Sequence, residues 1–441
     1  MKRYLTFIFL WFCLLSTHSF ASNLYTILQS NTLRVGTMYG TEGFFLLNES
    51  PAGFDYELTS AFADFLGVQL DVRPFADPKR MLNSLKRGEI DLIASPFQFA
   101  SEHLTHVEFG PAYQYFDQVI VTSNNNPKRN ALVERYSMHA DALKNKALEQ
   151  GIQWQATLEY DSEELLQMVL AEEIGYTVTT SSILNRARLL NPELLPYEVI
   201  NRNLPRRWLF SKSHNDALLG VMLEFFGQYR VSGALKALNE AYFGHVKKIN
   251  FVDTKAFIDA VSDTLPNYKE WFKKYADDLD WRLLAAVSYQ ESHWNPNAVS
   301  VTGVRGLMML TRPTAREMGV TSRINPEQSI MGGSKYLAKM KQRLPARIKE
   351  PDRTFMALAA YNIGLGHLED ARVLTQRAGL NPDLWVDVKQ YLPLLRKKQY
   401  YTKTKFGYAH GDVAVQYVEN IRRYYESLRF IDENIHQAAT Q

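Results

Sequence analysis

The feature that most constrains this fold is a change of texture near Gly244. From Leu33 up to that point, short β-branched runs alternate with longer stretches of helical spacing. From Thr264 onward helical periodicity dominates and the β-branched runs disappear. The first pattern predicts an α/β domain and the second an all-α domain. At 441 residues the chain is long enough for two or three domains with ample core.

Individual elements are readable in the front half. Leu33–Thr37 reads as a strand, Phe54–Leu66 as a helix with Leu58, Phe62 and Phe65 on one face, and Val68–Val72 as the next strand. A helix over Pro78–Arg87 stops at Gly88, and Ile90–Ala94 follows as a strand. This β-α-β-α-β succession predicts a parallel sheet with right-handed crossovers. Val119–Val121 opens a second run of the same kind, through Glu163–Leu170 and Tyr176–Val178, so two lobes with a cleft between them are expected. In the rear half, helices are predicted at Pro266–Asp277, Asp280–Glu291, Thr311–Met318, Pro326–Arg343, Asp352–Tyr361, Leu365–Ala378 and Asp412–Leu428. The texture itself shifts over His245–Thr254. The resulting division is a leader at 1–21, a front domain at 22–250, a linker at 251–265 and a rear domain at 266–441.

The leader is predicted because Lys2 and Arg3 precede an apolar run, Tyr4–Leu15, that is too short to span a bilayer. Ser19-Phe20-Ala21 then offers small residues at the −3 and −1 positions of a cleavage site, placing the mature start at Ser22. No later run is long and apolar enough for a membrane helix. Without Lys2 and Arg3 the net charge falls from +3 to +1, which gives no argument for nucleic acid as a partner. The only cysteine, Cys13, lies in the leader, so the mature chain has no disulfide, thiolate metal site or cysteine nucleophile. Trp11 and Phe12, just before Cys13, are unlike the small residues that precede a lipid-modified cysteine. An exported protein, periplasmic and at most peripherally attached to the outer membrane, is expected.

Common catalytic spacings are absent: there is no HExxH, no Walker loop and no GxSxG. No metal or cofactor is expected. The informative place is the helix ending at Glu291, where Leu284, Val287 or Ser288, and Glu291 fall on one otherwise apolar side. A carboxylate in the last turn meets the negative end of the helix dipole, and apolar surroundings also disfavour its charge. Both effects raise its pKa toward the range of a general acid. By periodicity alone, a carboxylate facing solvent at a helix end is the plainer reading.

Around Glu291 the sequence becomes specific. Glu291-Ser292-His-Trp-Asn-Pro-Asn-Ala-Val-Ser300 is followed by Gly303, then Gly306-Leu-Met-Met309, and later by Ala360-Tyr361-Asn362-Ile-Gly364. This series resembles the catalytic domain of lytic transglycosylases, which share a lysozyme-like all-α fold. The resemblance implies that Glu291 is the single acid/base carboxylate. It implies substrate-binding roles for Ser300, Met309, Tyr361 and Asn362, and for Tyr417 in Gln-Tyr-Val-Glu-Asn-Ile. One departure is Met309, where the family often carries Gln. The implied reaction cleaves peptidoglycan glycan strands between N-acetylmuramic acid and N-acetylglucosamine and closes a 1,6-anhydro ring. Asp277, Asp278 and Asp280 precede Glu291 by eleven residues or more, roughly 16 Å of helix rise for the nearest, so they are poor local partners for it. Two alternatives remain open at this stage: hydrolysis of the same bond, as in lysozymes, and an inert muropeptide-binding sensor.

The front domain, in turn, resembles the two-lobed periplasmic solute-binding proteins that capture amino acids. Leu33-Arg-Val-Gly-Thr37, Gly53-Phe-Asp-Tyr-Glu-Leu58, Leu85-Lys-Arg-Gly-Glu-Ile-Asp-Leu92 and Phe109-Gly-Pro-Ala-Tyr113 carry the likeness. The pairing of the two domains resembles the membrane-bound group of lytic murein transglycosylases. Amino-acid binders carry an Arg where this chain has His103, and an Asp where it has Thr180 and Ser181. Tyr39, His103 and Thr180 are therefore candidate residues of a cleft with a changed ligand, such as a muropeptide, and a regulatory role. Finally, Arg396-Lys397-Lys398 with Lys403 and Lys405 forms a basic segment among Tyr400, Tyr401 and Phe406. Anionic glycan peptides, a membrane surface or plain solvent would each suit it.

Overall fold

The computed structural model describes residues 24–47, 50–123, 130–212, 217–245, 251–300 and 303–440. The expected leader, with Cys13, lies outside these residues, as do 246–250 at the junction of the two halves.

Strand Thr32–Met38 buries Leu33 and Val35 and pairs in parallel with Gln69–Phe75 on one side and Leu92–Ile93 on the other. The helix between the first two spans Phe54–Leu66, with the bounds its spacing predicts, and ends on Gly67 in the left-handed conformation. It buries Phe54, Leu58 and Phe62 in a core shared with Trp208, Phe225 and Phe226.

Two long strands depart from expectation. Val107–Ser123 and Leu194–Ser211 run antiparallel to each other from Val107 opposite Ser211 to Ser123 opposite Leu194, and they pass from one lobe into the other. Pro196 and Pro205 lie within the second of these, and bulges interrupt the ladder, so no unbroken strand signal survives in the sequence. The main sheet is consequently mixed. Its order is Gln69–Phe75, Thr32–Met38, Leu92–Ile93, Leu194–Ser211, Val107–Ser123, Thr177–Thr180, and only the pairings among the first three strands are parallel. The second lobe has its own core around Val119, Leu165, Leu166 and Val169, and a small parallel pair, Asn130–Glu134 with Gln153–Thr157.

The rear half is helical throughout. Trp281–Ser292 is its central helix, buried along Leu284, Ala285 and Val287 and packed against the C-terminal helix Gly411–Thr440. Residues 251–265, expected as a linker, hold a helix over Phe251–Asp263 instead. The reason is aromatic. Phe257 is 1% exposed and sits between the rings of Tyr289, Trp294 and Tyr424, with Ala260 and Val261 packed beside it. This stretch belongs to the rear core.

The two halves meet through charge. The front helix Ala234–Phe243 presents Glu240, which accepts from Lys389 (2.6 Å) and from the Arg422 guanidinium (2.8 Å) of the C-terminal helix. Lys236 pairs with Asp387 at 2.6 Å, and Glu426 is shared by Arg186 and His245. Among these, Glu240, Arg422 and His245 are buried.

Candidate active site

The Glu291 helix starts on Asp280, whose carboxylate accepts from the Arg282 backbone N–H at 2.9 Å and so satisfies one of the open donors of the first turn. It ends where His293 and then Trp294 turn to positive φ, 52° and 57°. That reversal folds the Trp294 indole back under the helix, where it donates to the Ala285 carbonyl at 2.9 Å. The following loop is clamped to the same helix. Ser292 and Ser288 both donate to the Leu307 carbonyl, at 2.9 and 3.2 Å, and Met308 N–H donates to Ser329 Oγ at 3.1 Å. Gly306 is required at its position: φ is +84°, and a Cβ there would lie 1.8 Å from the Arg323 carbonyl oxygen.

Glu291 is thereby left in the last turn, half-buried, facing the C-terminal helix. Tyr417 is 4% exposed, and its hydroxyl donates to Glu291 Oε1 at 2.6 Å. Burial pushes the Glu291 carboxyl up to about 7, and the Tyr417 hydrogen bond partly offsets this by favouring the charged form. Among the described residues no second carboxylate acts on Glu291. Asp280 sits at the opposite end of the helix, engaged by Arg282 and by the Tyr425 hydroxyl at 2.9 Å. Among the described residues no group of three or more His, Cys, Asp or Glu side chains could hold a metal ion, and no helix is long and apolar enough to cross a membrane.

The remaining rear-domain candidates fall around this carboxylate. Tyr361 donates to the Met308 carbonyl at 2.8 Å, and both its burial and the charge of nearby Glu291 hold its hydroxyl well above the usual tyrosine range. Met309 follows with φ 45°, half-buried. Asn362 is exposed at the end of the helix Asp352–Ile363. The Ser300 hydroxyl accepts from Val304 N–H at 3.2 Å, which shapes the start of the loop that carries Met309.

The front-domain candidates are not joined in this way. Tyr39 is 62% exposed. His103 ends a short turn, edge-on to Tyr136, with its ring beside Glu102. The Thr180 side chain accepts from Ile183 N–H at 3.3 Å as the cap of the helix Ser181–Ala187 and is 1% exposed. No hydrogen bond or ring contact links the three among the described residues. A second buried cluster was not foreseen from the sequence. Arg206 pairs with Glu42 at 2.5 Å, both almost fully enclosed, while Tyr113 donates to Asp55 at 2.9 Å and burial pushes the Asp55 carboxyl up to about 7. Asp55 stands in the Gly53-Phe-Asp-Tyr-Glu-Leu58 segment, but its neighbours Tyr113 and Arg206 come from strands whose pairing is not local.

Family comparison bears on both halves. Residues 269–381 match the Transglycosylase SLT domain, and residues 33–245 match the bacterial extracellular solute-binding proteins, family 3. Over 92% of this chain, a protein of Alteromonas mediterranea named membrane-bound lytic murein transglycosylase F is 47% identical, with 92% of its own length covered. The chain belongs to that family. A relative of the same name from Idiomarina loihiensis is 45% identical over 92% of this chain and 91% of its own. The family F architecture thus places a two-lobed α/β domain before an all-α lysozyme-like domain. Glu291 and Tyr361 lie inside the matched transglycosylase segment and Tyr417 lies beyond its end.

Proposed function

We propose that this protein is a peptidoglycan lytic transglycosylase in which Glu291 acts first as general acid and then as base. The observation that carries this reading is a lone carboxyl, raised to about 7, held by one tyrosine hydroxyl and influenced by no second carboxylate among the described residues. Ordinary glycosidases need two carboxylates, one to protonate and one to attack or to activate water. A single carboxyl that cycles its proton suits a reaction in which the nucleophile is supplied by the substrate.

In the first step the Glu291 proton moves to the glycosidic oxygen between N-acetylmuramic acid and N-acetylglucosamine, and the bond from the muramic C1 breaks. In the second step the Glu291 carboxylate takes the proton of the C6 hydroxyl on the same muramic residue, O6 bonds to C1, and the 1,6-anhydro ring closes. Glu291 is again protonated, and no water, metal or cofactor is consumed. Tyr417 fixes the carboxyl and moderates its pKa. Tyr361 holds the Met308 carbonyl, and with it the neighbouring Met309, which would line the bound sugars together with Ser300 and Asn362. We assign the front domain, 22–250, a non-catalytic, regulatory role with a muropeptide as its ligand. The whole acts in the periplasm, peripheral to the outer membrane.

Digestion of purified sacculi, with products read by mass spectrometry, tests the reading. Wild type should release anhydromuropeptides, lighter by one water than reducing-end products, and Glu291→Gln should release none. Reducing-end products from wild type would replace the assignment with hydrolysis. Anhydro products from Glu291→Gln would remove Glu291 from it.

A further inference from the structure

The basic segment ahead of the C-terminal helix is not used by the chemistry above, yet it is built as a fixed surface. The buried Asp370 carboxylate accepts three consecutive backbone N–H groups, from Lys405 (3.0 Å), Phe406 (2.8 Å) and Gly407 (3.1 Å), and Arg377 donates to the Lys403 carbonyl at 2.9 Å. So pinned, the loop holds Phe406 51% and Tyr408 50% exposed. Phe406 lies directly over Gly366, where a Cβ would come within 2.7 Å of its ring.

The charges around these rings are one-sided. Lys397, Lys398, Lys403 and Lys405 are exposed and form no ion pair among the described residues. Lys405 Nζ stands 5.3 Å from the centre of the Phe406 ring. The nearby carboxylates are already engaged: Asp412 by Arg396, Glu369 by Arg372, and Asp370 by the loop backbone. Unpaired lysines on a rigid aromatic surface attract anions at a distance, and salt screens that attraction.

Position points to what the surface meets. The C-terminal helix runs antiparallel to the Glu291 helix, since Tyr425 reaches Asp280 at one end and Tyr417 reaches Glu291 at the other. One turn earlier on the Tyr417 face, Val413 is 52% exposed, roughly 6 Å further along the axis. Tyr408 lies just before that helix begins. Phe406, by way of Gly366, borders the turn that follows Asn362. The surface therefore borders two residues of the candidate site, Tyr417 along the helix and Asn362 through the turn that follows it.

We propose that this ridge is a glycan subsite beyond the cleaved bond, with Phe406 and Tyr408 supporting a sugar face and Lys403 and Lys405 engaging carboxylates of the peptide arm on muramic acid. The inference rests on the reading of the chain as a glycan-cleaving enzyme. Continuity with Tyr417 and Asn362 favours the substrate over a lipid surface as the occupant.

The test compares soluble glycan strands bearing peptide arms with the same strands stripped by an amidase, at low and high salt. Lys403→Glu/Lys405→Glu should lower the ratio of kcat/KM on armed over stripped glycan about tenfold, through KM, and should flatten its salt dependence. Phe406→Ala should raise KM on both glycans. All three residues are exposed, and circular dichroism checks that each variant folds. An unchanged ratio overturns the proposal, and so does a loss confined to binding of phosphatidylglycerol vesicles. If wild type yields no anhydro product, the activity reading fails separately. Co-sedimentation of the full chain with armed against stripped insoluble glycan then decides the subsite by the same ratio.

Discussion

Replacing Tyr417 with Phe removes one hydroxyl and leaves the ring in place, which isolates its effect on Glu291. That hydroxyl donates to Oε1 at 2.6 Å, and it supports the ionised carboxylate more strongly than the neutral acid. Without it the charged form loses support, so the proton is held more tightly and the pKa rises above its present value of about 7. A hydrogen bond to a charged group is worth about 1.5–3 kcal/mol, and one pKa unit is about 1.4 kcal/mol. Water entering the vacated space restores part of the loss, so a rise of about one unit is expected. For a general acid, kcat/KM falls as the group ionises, so the alkaline limb of the pH profile should move from about 7 toward about 8.

The same substitution should lower the plateau kcat about tenfold or more, because the carboxyl is no longer aimed by a short bond. Initial rates of anhydro-end formation across a pH series measure both effects. Tyr361→Phe is the control, since its hydroxyl is directed at the Met308 carbonyl and its loss should lower the rate while leaving the limb where it is. A limb that moves to lower pH in Tyr417→Phe, or that moves equally in Tyr361→Phe, refutes the assignment of Tyr417 as the group that moderates the acidity of Glu291.

Three further outcomes follow from the same contacts. Burial raises the Glu291 pKa from about 4.5 to about 7, so its stabilising contribution is full below about 4.5 and is lost as pH rises through about 7. Glu291→Gln should accordingly be more stable than wild type at pH 8 by up to about 3 kcal/mol, with the difference vanishing toward pH 4.5 in thermal melts. Gly306→Ala, at φ +84° with its methyl against the Arg323 carbonyl, should lose about 2 kcal/mol or more in urea unfolding, together with catalytic rate. Arg206→Met strands the buried Glu42 carboxylate and should cost about 3–5 kcal/mol; adding Glu42→Gln should recover much of it, and a double-mutant cycle in denaturant measures that coupling.

Periodicity made some elements legible to the residue. Phe54–Leu66 and Pro326–Arg343 begin and end where their spacing and flanking Gly or Pro signals place them, because both are amphipathic helices whose buried face repeats locally. The two long strands between the lobes were not legible. Along most of their length their residues pair with each other across seventy or more intervening positions, and the prolines and bulges that bend them erase the local alternation. The helix at Phe251–Asp263 was missed for a related reason: Phe257 anchors it by packing on Tyr289, Trp294 and Tyr424, and no residue nearby in sequence announces those rings.

The candidate site divides along the same line. That a carboxylate ends an apolar helix could be read from Trp281 to Glu291, and the motif around it supplied the expectation that it is catalytic. The hydroxyl that moderates the effect of burial on its acidity could not be read locally, because Tyr417 lies 126 residues later. The same C-terminal helix carries Arg422 to Glu240 and Glu426 to Arg186 and His245, so one rod-like element holds both the carboxyl of the rear domain and the charged contact with the front domain. A rotation or slide of that helix large enough to break the front contact would move Tyr417 with it, because a helix transmits displacement along its length. One rigid element therefore carries both the Tyr417 hydroxyl and the charged contacts with the front domain. If displacement passes along it, substitutions at Arg422 should shift the alkaline limb of the pH profile in the same direction as Tyr417→Phe, though by less, from a position that touches no reacting atom.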